Sequence, residues 1–200
     1  MDTPSGIDKP SPKRPAVKPD QAELGQAKLD QARLNQIKLL LLDVDGVLTD
    51  GQIIYTDSGE QIKSFSSKDG LGLRLLMDNN IRVGIITGRK SAALGHRLQN
   101  LGIDLVFDGI QDKAAAFDEI MAVTGISQEH IAFVGDDLID LPAMIRAGIS
   151  FTVPDAPQEV KHRADRVTSA KGGHGAVREI CESILKAQGV WENIINQYLS

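Results

Sequence analysis

Two pairs of carboxylates carry most of the chemical information in this chain. Asp43 and Asp45 stand two positions apart at the end of the apolar run Ile37 to Leu42, in the stretch DVDGVLTDG. On an extended strand, residues i and i+2 share a side, so both acids emerge together. Two desolvated anions that close repel each other unless a cation or a proton compensates them. The pair therefore asks for a hard metal ion. Gly46 allows the sharp turn and close approach to a ligand that such a site needs. Asp-Gly alone is an ordinary turn signal; the whole stretch, set directly behind four leucines, is far more specific.

Three further segments place polar groups just past a strand or at a helix start. They are Thr87-Gly88-Arg89 after IRVGII, Lys113 at the head of a helical segment, and Asp136, Asp137 and Asp140 in GDDLID after Ile131–Val134. Taken singly, each has a plain reading: a strand-end threonine, a surface lysine beside Asp112, helix caps. Their joint occurrence is what counts, because strand ends of a parallel sheet converge on one edge.

The elements that must position them alternate along the chain. Apolar runs at Ile37, Ile81–Ile86, Leu105–Phe107, Ile131–Val134 and Ile149–Val153 read as buried strands, with a last strand near Arg166–Thr168. Helices are expected at 71–79, 91–100, 113–123, around 139–147 and over 176–185, the last extending towards Trp191 and Tyr198. The segments 52–55 and 61–65, joined by Thr-Asp-Ser-Gly-Glu, form a small hairpin. This alternation predicts an α/β three-layer sandwich on a Rossmann-like parallel sheet. Residues 1–35, with five of the eight prolines in the first twenty, read as a flexible extension, although Gln21–Asn35 has loose helical spacing. Residues 36–188 read as the domain and 189–200 as a tail.

Composition excludes several classes. The net charge of -5 and aromatic content of 4% offer neither a basic surface nor stacking platforms, so no nucleic-acid partner is expected. No apolar run is long enough to span a bilayer, and no secretory signal is seen, so a cytoplasmic location is expected. The single cysteine, Cys181, belongs on the apolar face of the last helix.

The motifs DVDGVLTDG, SSKDGLGLR, ITGRK, GIQDK, VGDDLIDLP and GGHGAVREIC, in this order, resemble the haloacid dehalogenase-like phosphatases. Within these they resemble the 3-deoxy-D-manno-octulosonate 8-phosphate phosphatase family, over about Ile37 to Lys186. The resemblance implies a Mg²⁺-dependent phosphomonoesterase working through an aspartyl-phosphate, in lipopolysaccharide biosynthesis. Asp43 would be the nucleophile and Asp45 the acid and base. Mg²⁺ would be held by Asp43, Asp136 and the backbone carbonyl of Asp45. Thr87 and the N–H groups of Gly88 and Arg89 would hold phosphoryl oxygens, and Lys113 would neutralise their charge. Asp137 and Asp140 would orient metal waters and Lys113, or else cap a helix. Substrate contacts are expected from Lys68, Asp69, Arg89 and Arg97, and from His174 where related chains often carry Arg.

The hairpin leaves no room for a cap domain. An uncapped site can accept large substrates or borrow a lid from a neighbouring subunit; the resemblance implies a homotetramer, with the glycine-rich Lys171–Arg178 segment as the closing piece. The expected partner is a small phosphorylated sugar acid. Two rivals remain at this level: an acylneuraminate or nonulosonate 9-phosphate phosphatase, and a catalytically silent regulatory or binding domain.

Overall fold

In the computed structural model, which describes residues 21–199, six parallel strands form one sheet and two more form a hairpin. The sheet strands are β1 (Leu39–Leu42), β4 (Arg82–Thr87), β5 (Leu105–Asp108), β6 (Ile131–Val134), β7 (Ile149–Thr152) and β8 (Arg166–Val167). Their spatial order is β5-β4-β1-β6-β7-β8. From β1 the chain winds outward through β4 and β5, then crosses back to β6 and winds the other way. The switch point is the crevice between the C-terminal ends of β1 and β6, where open α/β sheets hold ligands. Asp43 and Asp136 flank it.

The four leucines of β1 show why the sheet must be covered on both faces. All four are fully buried, with Leu40 and Leu42 entering one core and Leu39 and Leu41 the other. The first core is closed by α1 (Gln21–Asn35), α2 (Ser67–Asp78), α3 (Ala92–Leu101) and α7 (Ala176–Ala187) through residues such as Leu34, Leu73, Leu94 and Ile180. The second is closed by α4 (Lys113–Thr124), α5 (Leu141–Met144) and α6 (Gln158–Lys161) through Phe117, Ile120, Met144 and Val160. Three layers result, as expected. The hairpin β2 (Ile54–Tyr55) and β3 (Gln61–Ile62) pairs Ile54 with Ile62 beside the sheet's C-terminal edge. No cap domain stands among the described residues.

Several local expectations change. Helix α2 begins at Ser67, capped by the Ser66 hydroxyl, so Lys68 and Asp69 lie inside it rather than before it. The segment 139–147 is a 3-10 turn (Leu138–Asp140) followed by the short α5. The C-terminal half of α1 is docked on the domain. Leu34 is buried against the first core, Arg33 pairs with Asp165 at 2.8 Å, and the Gln188 amide donates to the Ile37 carbonyl. The expected flexible extension over residues 1–20 lies outside the described residues. The last helix stops at Ala187, and Gly189, at a positive φ of 71°, starts a separate α8 (Trp191–Leu199). Its Ile194 is buried, so this segment is docked rather than a loose tail.

Candidate active site

The N–H of Asp43 donates to the Val134 carbonyl at 2.9 Å, extending the β1–β6 ladder by one bond and fixing the carboxylate at the switch point. Asp43 is 5% exposed, and its Oδ1 lies 2.9 Å from Nζ of Lys113. Lys113 is the first residue of α4, whose N-terminus Asp112 caps by accepting from Ala114 and Ala115. The cap sets the helix start, and the start aims the ammonium inward. The same ammonium donates to Asp140, which is fully buried. The other oxygen of Asp140 accepts from the N–H groups of Asp136 and Asp137 at 3.0 and 3.1 Å. Asp140 thus ties the acidic loop to Lys113, whereas the exposed Asp137 caps the 3-10 turn by accepting from Leu138. Lys113 is therefore oriented by Asp140 and not by Asp137. Gly135 is required here, because a Cβ would come within 2.3 Å of Asp140.

The electrostatics follow from crowding. Burial, then the Asp140 charge, push Asp43 up to about 6 against the pull of Lys113. Burial, then Asp43 and Asp140, push Asp136 up to about 8. Burial works against the Lys113 ammonium, but Asp43 and Asp140 together override it and raise its pKa. One lysine faces three carboxylates, and the site is short of positive charge.

Asp43, Asp136 and Asp140 each offer an oxygen within 4.8 Å of the others. Both oxygens of Asp140 are already engaged, so Asp43 and Asp136 are the pair with capacity to spare. Oδ1 of Asp136 is buried and has no hydrogen-bond partner. Such an orphan acceptor in an anionic, oxygen-only setting fits a small hard divalent cation such as Mg²⁺.

The cleft over this cluster measures about 490 Å³ and is lined by Asp43, Asp45, Gly51, Ile53, Thr87, Gly88, Arg89, Asp136, Asp137 and Ile139. Thr87 ends β4, is 2% exposed, and accepts from the N–H of Arg89 at 3.4 Å. Asp45 diverges from Asp43. Its carboxylate is bound by Lys63, and Nε of Arg89 stands 3.8 Å away. Lys63 was not among the expected site residues. The available signal was that it is the lone basic residue between Asp45 and Lys68.

Four expected substrate contacts lie outside this cleft. Lys68 is exposed on α2, away from the lining. Asp69 is buried and accepts from the N–H groups of Gly175 and Arg178, supplying from α2 the cap that glycine cannot give α7. Arg97 donates to the Ser66 carbonyl and lies over the Phe65 ring, bracing the entry to α2. His174 lines an adjoining cleft with Asp50, Gln52, Asp155 and Lys171, and its Nδ1 donates to the Gly172 carbonyl at 2.8 Å. The glycines around it serve close packing in their own chain. A Cβ on Gly172 would sit 1.7 Å from the Gly46 carbonyl oxygen, and the N–H of Gly173 donates to Val47. The segment is a wedge beneath the Asp43–Asp45 loop.

Comparison with known proteins fits this geometry. A family model for haloacid dehalogenase-like hydrolases matches residues 103–180. A 3-deoxy-D-manno-octulosonate 8-phosphate phosphatase of Haemophilus influenzae is 49% identical over 152 residues, covering 76% of this chain and 84% of that one. The chain belongs to the 3-deoxy-D-manno-octulosonate 8-phosphate phosphatase family. Among solved structures, the Moraxella catarrhalis phosphatase in complex with a magnesium ion, a phosphate ion and KDO superposes with a TM-score of 0.83. It is 42% identical, over 86% of this chain and 98% of that one. A cobalt-bound form of the Haemophilus influenzae phosphatase gives 0.77 at 48% identity, over 78% and 92%. The haloacid dehalogenase-like fold and the phosphomonoesterase class expected from the motifs both hold.

Proposed function

We propose that the protein releases phosphate from 3-deoxy-D-manno-octulosonate 8-phosphate in a Mg²⁺-dependent reaction, within lipopolysaccharide biosynthesis. The observation that carries the reading is the unshared oxygen of Asp136 facing an Asp43–Lys113 pair at the sheet's switch point. That arrangement occurs in a chain 49% identical to a phosphatase named for this substrate.

Asp43 attacks phosphorus, forming an aspartyl-phosphate as the bond to the sugar oxygen breaks. Asp45 gives its proton to that departing oxygen, then takes one from the water that cleaves the aspartyl-phosphate and regenerates Asp43. Lys113 neutralises charge on the phosphoryl oxygens, and the Thr87 hydroxyl with the N–H groups of Gly88 and Arg89 holds them. The Arg89 guanidinium, half exposed at the rim, suits the substrate carboxylate. Asp43, Asp136 and the Asp45 carbonyl would hold Mg²⁺, which would supply neutralising charge and a template for the phosphate.

We also infer a homotetramer working in the cytoplasm. Ile53, Ile54, Tyr55 and Ile62 leave the hairpin exposed and apolar at the mouth of the cleft, a surface suited to covering by other subunits. The lone cysteine is buried and unpaired, so nothing in the described chain requires an oxidising compartment. No described helix is long and apolar enough to cross a membrane.

The test is phosphate release from the eight-carbon ester and from an acylneuraminate 9-phosphate, at matched concentration with Mg²⁺. Preference for the eight-carbon ester is expected. Strong preference for the nine-carbon ester moves the protein to the rival substrate, and release from neither favours a silent domain.

A further inference from the structure

Lys63 is a buried ammonium that the reaction scheme above does not use. Its side chain is only 2% exposed although it sits on a two-stranded hairpin whose other side chains largely face solvent. Among the described residues its ion-pair partner is Asp45. A lysine is rarely buried unless paired, because desolvating the ammonium is costly. Asp43 directly follows β1 and Asp45 stands in the turn after it, and the close carboxylate cluster contains Asp43, Asp136 and Asp140 without Asp45. Lys63 holds Asp45 beside Arg89, on the cleft that Asp43 also lines. Arg89 cannot do this alone, being half exposed and 3.8 Å away.

We propose that Lys63 is a positioning residue for phosphoryl transfer, fixing the Asp45 carboxylate on the leaving-group side of the cleft, apart from the Asp43–Asp136 pair. The inference rests on the phosphatase reading and adds to it that the hairpin takes part in the acid step. Lys63 touches neither substrate nor phosphorus, so its influence passes through Asp45. Removing its charge leaves the carboxylate free to rotate out of line with the departing oxygen. The resulting defect depends on how much the leaving group needs a proton.

That dependence gives the experiment. Wild type and K63M are assayed with Mg²⁺ on the sugar acid 8-phosphate, whose alkoxide must be protonated, and on p-nitrophenyl phosphate, whose phenolate departs unaided. The ratio of the two rates within one sample is independent of the folded fraction, so partial unfolding cannot imitate the effect. For K63M, the single-turnover rate of ester cleavage should fall on the order of 10²-fold with the sugar ester, while KM and the single-turnover release of p-nitrophenolate stay within about threefold, because only the first step differs between the two esters. K63R should recover most of the loss, and K63M added to D45N should cost nothing further. Equal losses on both esters, or an additive loss in the D45N background, overturn the proposal while the phosphatase reading stands. A wild-type protein that hydrolyses neither ester overturns both.

Discussion

Asp43 and Asp45 each face a lysine whose side chain is 2% exposed, but the two pairs are built differently. Lys113 starts a capped helix, shares its charge between Asp43 and Asp140, and rests on the joined ends of β1 and β6. Lys63 hangs from a hairpin of two two-residue strands and serves Asp45 alone among the described residues. The nucleophile's side is therefore fixed by the sheet, and the acid's side by a two-stranded hairpin outside it. Both groups must be held in line with the reacting bonds, but the hairpin mount rests on fewer backbone pairings.

The largest break in this comparison comes from D43N. It removes the attacking oxygen, and phosphate release should fall on the order of 10⁴-fold or more with either ester. Next comes the contrast between the lysines. K113M strands the Asp43 and Asp140 carboxylates in a buried site, so chemical denaturation should show a loss of about 3–5 kcal/mol and an activity loss on both esters. K63M should cost clearly less stability, because Asp45 lies nearer the solvent and the hairpin can shift. Equal stability losses would mean that the two mounts are equally rigid.

Metal and pH sharpen the rigid side. In the metal-free protein Asp136 has its folded pKa raised to about 8 from an ordinary 3.8, and Asp43 is raised to about 6. A raised folded pKa means the folded form binds protons more tightly than the unfolded chain. The associated stability is complete below the ordinary value and is lost as pH climbs through the folded value. Thermal unfolding in EDTA should therefore weaken between pH 6 and pH 8.5. Mg²⁺ should restore more stability at pH 8.5 than at pH 6, and D136N should flatten both trends. A Tm in EDTA that rises over this window would contradict the charge deficit.

The smallest effects come from two glycines. G172A drives a Cβ into the Gly46 carbonyl and should cost about 1–3 kcal/mol together with activity, since the wedge shapes the loop carrying both acids. G95A, inside α3 with nothing within 4 Å of the added carbon, should stabilise by about 0.4–1 kcal/mol and leave turnover unchanged. Denaturant titrations with parallel activity assays decide both.

How much of this was legible in the chain depends on the range of the interactions. Leu39–Leu42 followed by Asp43, and Ile131–Val134 followed by Asp136, announce buried strands with acids at their ends. Burial on both faces forces a continuous apolar run, and a parallel sheet gathers such ends on one edge. The short interval from Asp50 to Leu71 likewise excluded an inserted cap. Substrate contacts were less legible. Asp69 and Arg97 carry the residue types that bind sugars and carboxylates, yet both are taken up by backbone groups of their own fold.

The sequence by itself determined the sheet and the carboxylates at its edge, because strand periodicity and residue type act locally, while phosphoryl transfer was implied by the resemblance its ordered motifs carry. Tertiary structure alone decided that Asp140 rather than Asp137 holds Lys113, that Gly172 wedges beneath Gly46, that Leu34 of α1 docks, and that Lys63 claims Asp45. Each of these is a contact between segments distant in the chain, settled by packing and by the cost of leaving a buried charge unpaired.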